Sequence, residues 1–323
     1  MNDDDIFSAR PAGGLDAAVA KAPASIGNVA VGFDILGQSF AVAYDAATAT
    51  RVAEPGVHLG DVSGLFDTLP ADPNRNTALR GVAALLRDED ASFGVKIDID
   101  KGVPMSAGMG GSAASAVASV VAANALLDKP LTRGALFPYT LEGEAASSED
   151  PPLDNVAASL FGGLAMIAPP GGAPVTPLPC PTDVRCILIH PDLKAETREG
   201  RQMLPEATSL QTAIVHGKHV GNFAAGCFTG DLELLKRSMR DLIAEPVRGP
   251  TFPHFASVQK AAFDAGAIAC SLSGSGPSVF AWAPEEIADA VRGAMVEAQD
   301  AVGVGYHLYE APLMSPGAEL VET

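Results

Sequence analysis

The pattern of apolar and polar positions divides the chain into strand-like and helix-like stretches. Residues 93–99, FGVKIDI, alternate strictly, with Phe93, Val95, Ile97 and Ile99 on one face and Gly94, Lys96 and Asp98 on the other. A period of two with one apolar face predicts a half-buried strand of an antiparallel or mixed sheet. Two further strand-like stretches lie at about 17–23 and 39–53. Residues 76–89 set Leu79, Val82, Ala83 and Leu86 along one stripe, the mark of an amphipathic helix. Residues 112–127 read as a helix of mostly small residues that can pack closely against a neighbour. Lys129-Pro130 ends it, and Thr132 is placed to cap another helix running to about 147. A loop at 148–154, a short helix at 155–161, the Gly162-Gly163 turn and a strand at 164–168 follow.

Residues 169–181, PPGGAPVTPLPCP, form the sharpest break in composition. They predict a domain boundary, with a loose acidic tail over 1–15, a first domain over 16–175 and a second over 176–323. Beyond the break the pattern predicts a strand at 184–189 and helices at about 197–204, 206–226, 231–243 and 253–265. Strands at 267–272 and 277–283, a helix at 285–300 and a strand at 304–310 complete it. With the extra helices set aside, the order is β-α-β-β-α-β, the split βαβ of ferredoxin-like domains. The expected class is therefore α+β. No internal repeat is visible.

Composition narrows the partners. At 323 residues and 47% hydrophobic content the chain can bury a sizeable core. The formal net charge of -18, with no basic stripe, argues against a nucleic-acid role. An anionic ligand would have to be drawn by a few local groups against the global field. Cysteines 180, 186, 227 and 270 show no CxxC spacing, so reduced thiols in a cytoplasmic protein are expected rather than a zinc site or a disulfide framework. The N-terminal MNDDDIF is acidic where a secretory signal would be basic. The most apolar run, 113–127, is shorter than the roughly 20 residues that span a bilayer, so no membrane role is expected.

The candidate chemistry centres on residues 102–115, GVPMSAGMGGSAAS. A P-loop is excluded because no lysine follows Gly110 or Gly111. Gly108-Met109-Gly110-Gly111-Ser112-Ala113 matches the dinucleotide pattern G-x-G-x-x-A. Its context is wrong, since the preceding strand alternates and the following helix leads into another helix. A third reading is a glycine loop opening a helix whose amides and macrodipole hold phosphates. Taken alone, the loop fits a simple strand-to-helix turn equally well.

Two partners change that. Residues 22–37, APASIGNVAVGFDILG, and 271–280, SLSGSGPSVF, flank the loop in order and spacing. The three segments resemble the three motifs of the GHMP small-molecule kinases, and within them the homoserine kinase branch. The pattern PAS-x-x-N-x-x-x-GFD-x-LG, the run Asp154-Asn155-Val156-Ala157 before Phe161-Gly162-Gly163, and IAEPVR at 243–248 carry the branch likeness. It covers roughly residues 20–310. The resemblance implies an N-terminal ribosomal-protein-like domain, a C-terminal ferredoxin-like domain and an active site between them. It implies phosphoryl transfer from ATP to the L-homoserine hydroxyl, a step toward threonine, and a possible homodimer. The rival readings are another GHMP kinase with a different small alcohol, or a nucleotide-binding regulator without catalysis.

The resemblance also implies residue roles. Pro104, Ser106, Ala107, Gly108, Met109, Gly110, Gly111, Ser112 and Ala113 would hold ATP phosphates, with Ser273, Gly274 and Ser275 closing over them. Ser112 and Glu144 would hold magnesium, a hard cation suited to oxygen ligands; Glu142, two residues away, is the rival. Asn28 and Asp34 would meet the homoserine amino end and hydroxyl, and Arg201 and Arg248 its carboxylate, which a guanidinium fork suits. Thr197, one helical turn before Arg201, would add a hydroxyl. Asn155 would sit beside the attacking hydroxyl. An amide cannot take a proton, so catalysis by orientation and charge stabilisation is expected, with Asn155 and Arg201 as its agents. Simpler fates exist for each: turn chemistry for Asn28 and Asp34, helix capping for Asp154 and Asn155, and a solvated face for the glutamates and arginines. Gly111 stands where relatives commonly have serine, and Glu149 and Pro152 stand where they carry glycine and histidine.

Overall fold

The structure is a computed structural model, and it describes residues 7–148, 151–195 and 197–321. The alternating stretch forms β4 (Gly94–Lys101), with Val95, Ile97 and Ile99 buried. It sits between β2 (Leu36–Val52), antiparallel, and β3 (Val57–Gly64), parallel, so the sheet is mixed. β1 (Ala17–Gly27) pairs with the other edge of β2. β5 (Leu164–Ile167) and β6 (Val175–Leu178) extend this sheet, and β11 (Glu319–Val321) closes it against β1.

Helices cover the sheet. α1 (Thr77–Asp88) starts where the Asn76 side chain accepts from the Ala78 amide, 2.9 Å. α2 (Gly111–Leu126) is buried throughout except at Ser112. Its small residues let it lie close against β1, β2 and α1 at once. α3 (Arg133–Glu144) is capped by Thr132, and α4 (Leu153–Phe161) packs on β1 and β2.

The second sheet has the order β10-β7-β9-β8, fully antiparallel: β7 (Val184–Pro191), β8 (Ala269–Leu272), β9 (Val279–Pro284) and β10 (Tyr306–Pro312). Two helices, α9 (Phe255–Asp264) and α10 (Ala288–Asp300), pack on it around a separate apolar cluster that includes Val258, Val291 and Met295. This is the expected ferredoxin-like arrangement. Between β7 and α9 run α5 (Thr197–Gln202), α6 (Leu210–Thr229), α7 (Leu232–Ser238) and α8 (Glu245–Arg248).

Several expectations are corrected. α6 begins at Leu210 rather than 206 because Ser209 caps it, accepting from the Thr212 amide at 3.0 Å. α7 stops at Ser238, and Asp241 accepts from the amides of Ile243, Ala244 and Glu245 instead of continuing the helix. Of the N-terminal tail, residues 1–6 lie outside the described residues. Residues 7–15 are not loose: Phe7 packs on Phe161, 5.2 Å between ring centroids, and the Gly14 amide donates to Leu127 O at 2.8 Å. The chain passes between sheets after Leu178, slightly beyond 175, because β6 pairs with β5; the returning β11 then joins the C-terminus to the first sheet. Among the described residues, no helix is long and apolar enough to cross a membrane.

Candidate active site

The loop after β4 turns back into α2 beneath a cleft of about 340 Å³. Gly110 takes the left-handed conformation at φ 67° and no side chain caps the first turn of α2. The amides at that helix start, with the positive end of the macrodipole, therefore face the cleft as a ready anion site. Both domains hold the loop. The Ser25 amide donates to Met109 O at 3.0 Å from β1. The hydroxyls of Ser273 and Ser278 donate to Gly108 O and Ala107 O, each at 2.6 Å, from the second domain. Gly108 has φ 74°, and a Cβ there would collide with the carbonyl of Ser273, so only glycine allows this approach.

Of the residues expected at the phosphate end, Ser106 through Ser112, Gly274 and Ser275 line the cleft. Pro104, Ala113 and Ser273 stand behind its wall: Ala113 is in the core, and Ser273 is fully buried with its hydroxyl on the loop. At Gly111 a Cβ would meet Pro104 O at 2.8 Å and Val103 O at 3.3 Å. The two stems of the loop thus approach closer than a serine would permit.

Glu144 faces the cleft from the end of α3, while Glu142 pairs with Arg80 at 2.9 Å on the outside. The Ser112 hydroxyl donates to Glu144 Oε1 at 2.6 Å, and Oε2 is buried without a hydrogen-bond partner. Burial pushes the Glu144 carboxyl up to about 7, against the bonds from Ser112 and Ser147. An orphaned carboxylate oxygen beside a serine hydroxyl at a cleft-facing helix start fits a hard divalent cation. Among the described residues no group of three or more His, Cys, Asp or Glu side chains is placed to hold a metal.

The other end of the cleft is built from side chains. β1 gives way to a turn in which Asn28, Val29, Ala30 and Asp34 all have positive φ. For a β-branched residue such as Val29 this conformation is strained, a state met at functional sites. Asn28 Oδ1 accepts from the Asp34 amide at 3.2 Å, and its Nδ2 donates to Gly274 O at 3.1 Å, bridging the domains. Arg201 donates from both terminal nitrogens to the Asp34 carboxylate, 2.9 and 3.1 Å, and its Nε is buried without a partner. Arg248 is 3% exposed. It donates to the carbonyls of Gly200 and Gly274, 3.0 and 3.3 Å, and not to a carboxylate. The Phe33 ring lies 5.4 Å from its guanidinium carbon. Thr197 opens α5, but its side chain lies outside the described residues, as does Glu149.

Asn155 joins the two ends. Its Oδ1 accepts from the Ser25 hydroxyl at 3.0 Å and its Nδ2 donates to Asp154 Oδ1 at 3.3 Å, which fixes the amide's orientation. Asp154 also accepts from the amides of Asn155 and Asn28, both at 2.8 Å. Burial and the neighbouring Asp34 push Asp154 up to about 7, with those amides pulling it back. Pro152, one of the departures, lines the cleft beside it. Sequence reasoning passed over Ser25, a hydroxyl at the buried end of β1, and Phe33, an aromatic inside the first motif. Both signals were available in the residue pattern.

The comparisons with known proteins agree along the chain. The model of the GHMP kinases N terminal domain matches residues 76–163, and that of the GHMP kinases C terminal domain matches 223–301. A homoserine kinase of Xylella fastidiosa (strain M12) is 42% identical over 305 residues, 93% of this chain and 92% of that protein. A homoserine kinase of Xanthomonas campestris pv. campestris (strain B100) is 38% identical over 309 residues, 95% of each. The crystal structure of homoserine kinase from Cytophaga hutchinsonii superposes with a TM-score of 0.89 at 34% identity, covering 95% of this chain and 98% of that one.

Proposed function

The chain belongs to the GHMP kinase family, and on that premise we propose that it transfers the terminal phosphoryl group of ATP to the side-chain hydroxyl of L-homoserine. One observation carries the choice of acceptor. The cleft that begins at the α2 amides ends at Asp34, Arg201 and the buried Arg248, an anion site and a cation site side by side. A zwitterionic amino acid with a short hydroxyl side chain matches such an end: its carboxylate to the arginines, its ammonium to Asp34 and Asn28, and its hydroxyl toward Asn155.

Phosphoryl transfer demands positioning and charge neutralisation more than covalent help. The loop from Ser106 to Ser112 holds the phosphates by backbone amides, and the Ser273–Ser275 segment covers them. Ser112 and Glu144 would hold magnesium, which would supply neutralisation of phosphate charge. Asn155, its Oδ1 and one Nδ2 hydrogen already engaged, presents its remaining N–H to the acceptor oxygen. Asp154 accepts three N–H bonds and so orients Asn155 and Asn28. The hydroxyl proton passes to an oxygen of the transferred group as the new O–P bond forms and the bond to the leaving ADP breaks. The reading extends to a cytoplasmic homodimer, an extension that rests on the family resemblance.

The test is a substrate panel: the purified chain with ATP and, separately, homoserine, threonine, mevalonate and galactose, the product identified by phosphorus NMR. Homoserine should be phosphorylated far faster than the others. Preference for another alcohol overturns the acceptor; ATP binding without transfer to any of them makes the chain a nucleotide-binding regulator.

A further inference from the structure

We propose that a buried cluster of Lys101, Asp45 and Ser115 is the positioning device of the phosphate loop, clamping both of its stems from behind. The inference rests on the reading of that loop as the ATP phosphate site. The three side chains come from three elements: Asp45 from β2, Lys101 from the end of β4 and Ser115 from the second turn of α2. All are buried, Lys101 at 1% exposure and Asp45 at none.

The contacts fall where the loop begins and ends. Asp45 Oδ1 accepts from the amides of Gly102 and Val103, 3.1 and 3.0 Å, the first two residues of the loop. The Lys101 ammonium donates to Asp45 Oδ2, to Gly111 O at 2.9 Å and to Ser115 Oγ at 2.8 Å, so each of its three hydrogens has an acceptor. Gly111 is the residue at which the loop becomes helix. Ser115 in turn donates to Asp45 Oδ2 at 2.6 Å. One ion pair thus ties the entry of the loop to its exit, and every polar atom of the pair is satisfied.

Stability alone is a poor reason to bury such a pair. Well-packed apolar residues of similar volume commonly serve a core as well or better, whereas positional specificity is what an ion pair adds. Asp45 balances the charge of Lys101, so the cluster acts through geometry rather than by attracting phosphate. It also explains Gly111. The clamp draws the stems together until Pro104 O lies 2.8 Å from where a Cβ on Gly111 would stand.

The experiment measures ATP and homoserine affinities and thermal stability for the parent, Lys101→Met and Ser115→Ala. Met keeps much of the lysine stem's volume; Ser115→Ala removes one bond of the cluster and guards against a Lys101 variant that does not fold. The expected result is an ATP affinity weaker by about tenfold or more in Lys101→Met and by about three- to fivefold in Ser115→Ala, with homoserine affinity within about twofold of the parent. ATP affinity within twofold in a folded Lys101→Met and in Ser115→Ala, or ATP and homoserine affinities falling together, would overturn the inference alone. A parent that binds no ATP would overturn the proposed function and this inference with it.

Discussion

The two ends of the cleft are made by opposite means. The proposed phosphate end is mainly backbone: helix amides, a left-handed glycine, and carbonyls pinned by serines of the second domain, with the loop's stems anchored inside the first. The substrate end is side chain, assembled across two domains by contacts such as Asp34 with Arg201, 167 residues apart, and left partly open, with those side chains 32% and 25% exposed. Backbone recognition suits phosphates, which every kinase of the family must hold. Side-chain recognition suits the acceptor, which differs between members and so must be changeable by substitution.

The sharpest break in that division is at Arg248. Burial lowers its pKa, and its donors rest on the carbonyls of Gly200 and Gly274, an arrangement that a substrate carboxylate would complement. Arg248→Ala should lower kcat/KM for homoserine by about a hundredfold or more, on the order of 3 kcal/mol, as expected for a charge-assisted bond in a buried site. Steady-state kinetics with each substrate varied should show the ATP KM nearly unchanged.

The next effect is at the phosphate end. Gly111→Ser installs the residue common in relatives. A better helix former gains about 0.5 kcal/mol, but overpacking against a backbone carbonyl costs about 1–3 kcal/mol. The clash wins, so the variant should bind ATP several-fold more weakly and melt lower, with homoserine affinity unchanged.

A third effect, read in stability rather than in activity, lies between the ends, at Asp154. Its carboxyl titrates near 7 in the folded chain against an ordinary 3.8. The folded state holds that proton more tightly than the unfolded one. Its contribution to stability is therefore complete below about 3.8, falls as pH rises toward 7, and is flat above. The difference in denaturation midpoint between the parent and Asp154→Asn should follow that curve. A difference that grows with pH across this window would contradict the shift.

The sequence made some of this legible and hid the rest for physical reasons. β4 and α1 were readable because one face of each is buried and the period shows it. β3, β6 and β11 were not: β3 and β11 lie at the sheet edges with none of their residues fully buried, and β6 is four residues long, carries Pro177 and pairs on one side, so there is little alternation to find. The glycine loop became a phosphate loop only through its two partner motifs. Glu144 and Glu142 could not be separated without the helix's actual rotation. Lys101 and Asp45 carry no such signal in the sequence, because nothing local says that residues 56 apart share a buried site.

The central claim, that the acceptor is held by side chains the nucleotide does not need, is tested most directly at Arg201. Isothermal titration of Arg201→Ala with L-homoserine and with a non-hydrolysable ATP analogue separates the two ends in one variant. Loss of the bidentate donor, about 2 kcal/mol or more, should weaken homoserine by about thirtyfold or more while the ATP analogue stays within about threefold. Equal loss of both ligands would contradict the account.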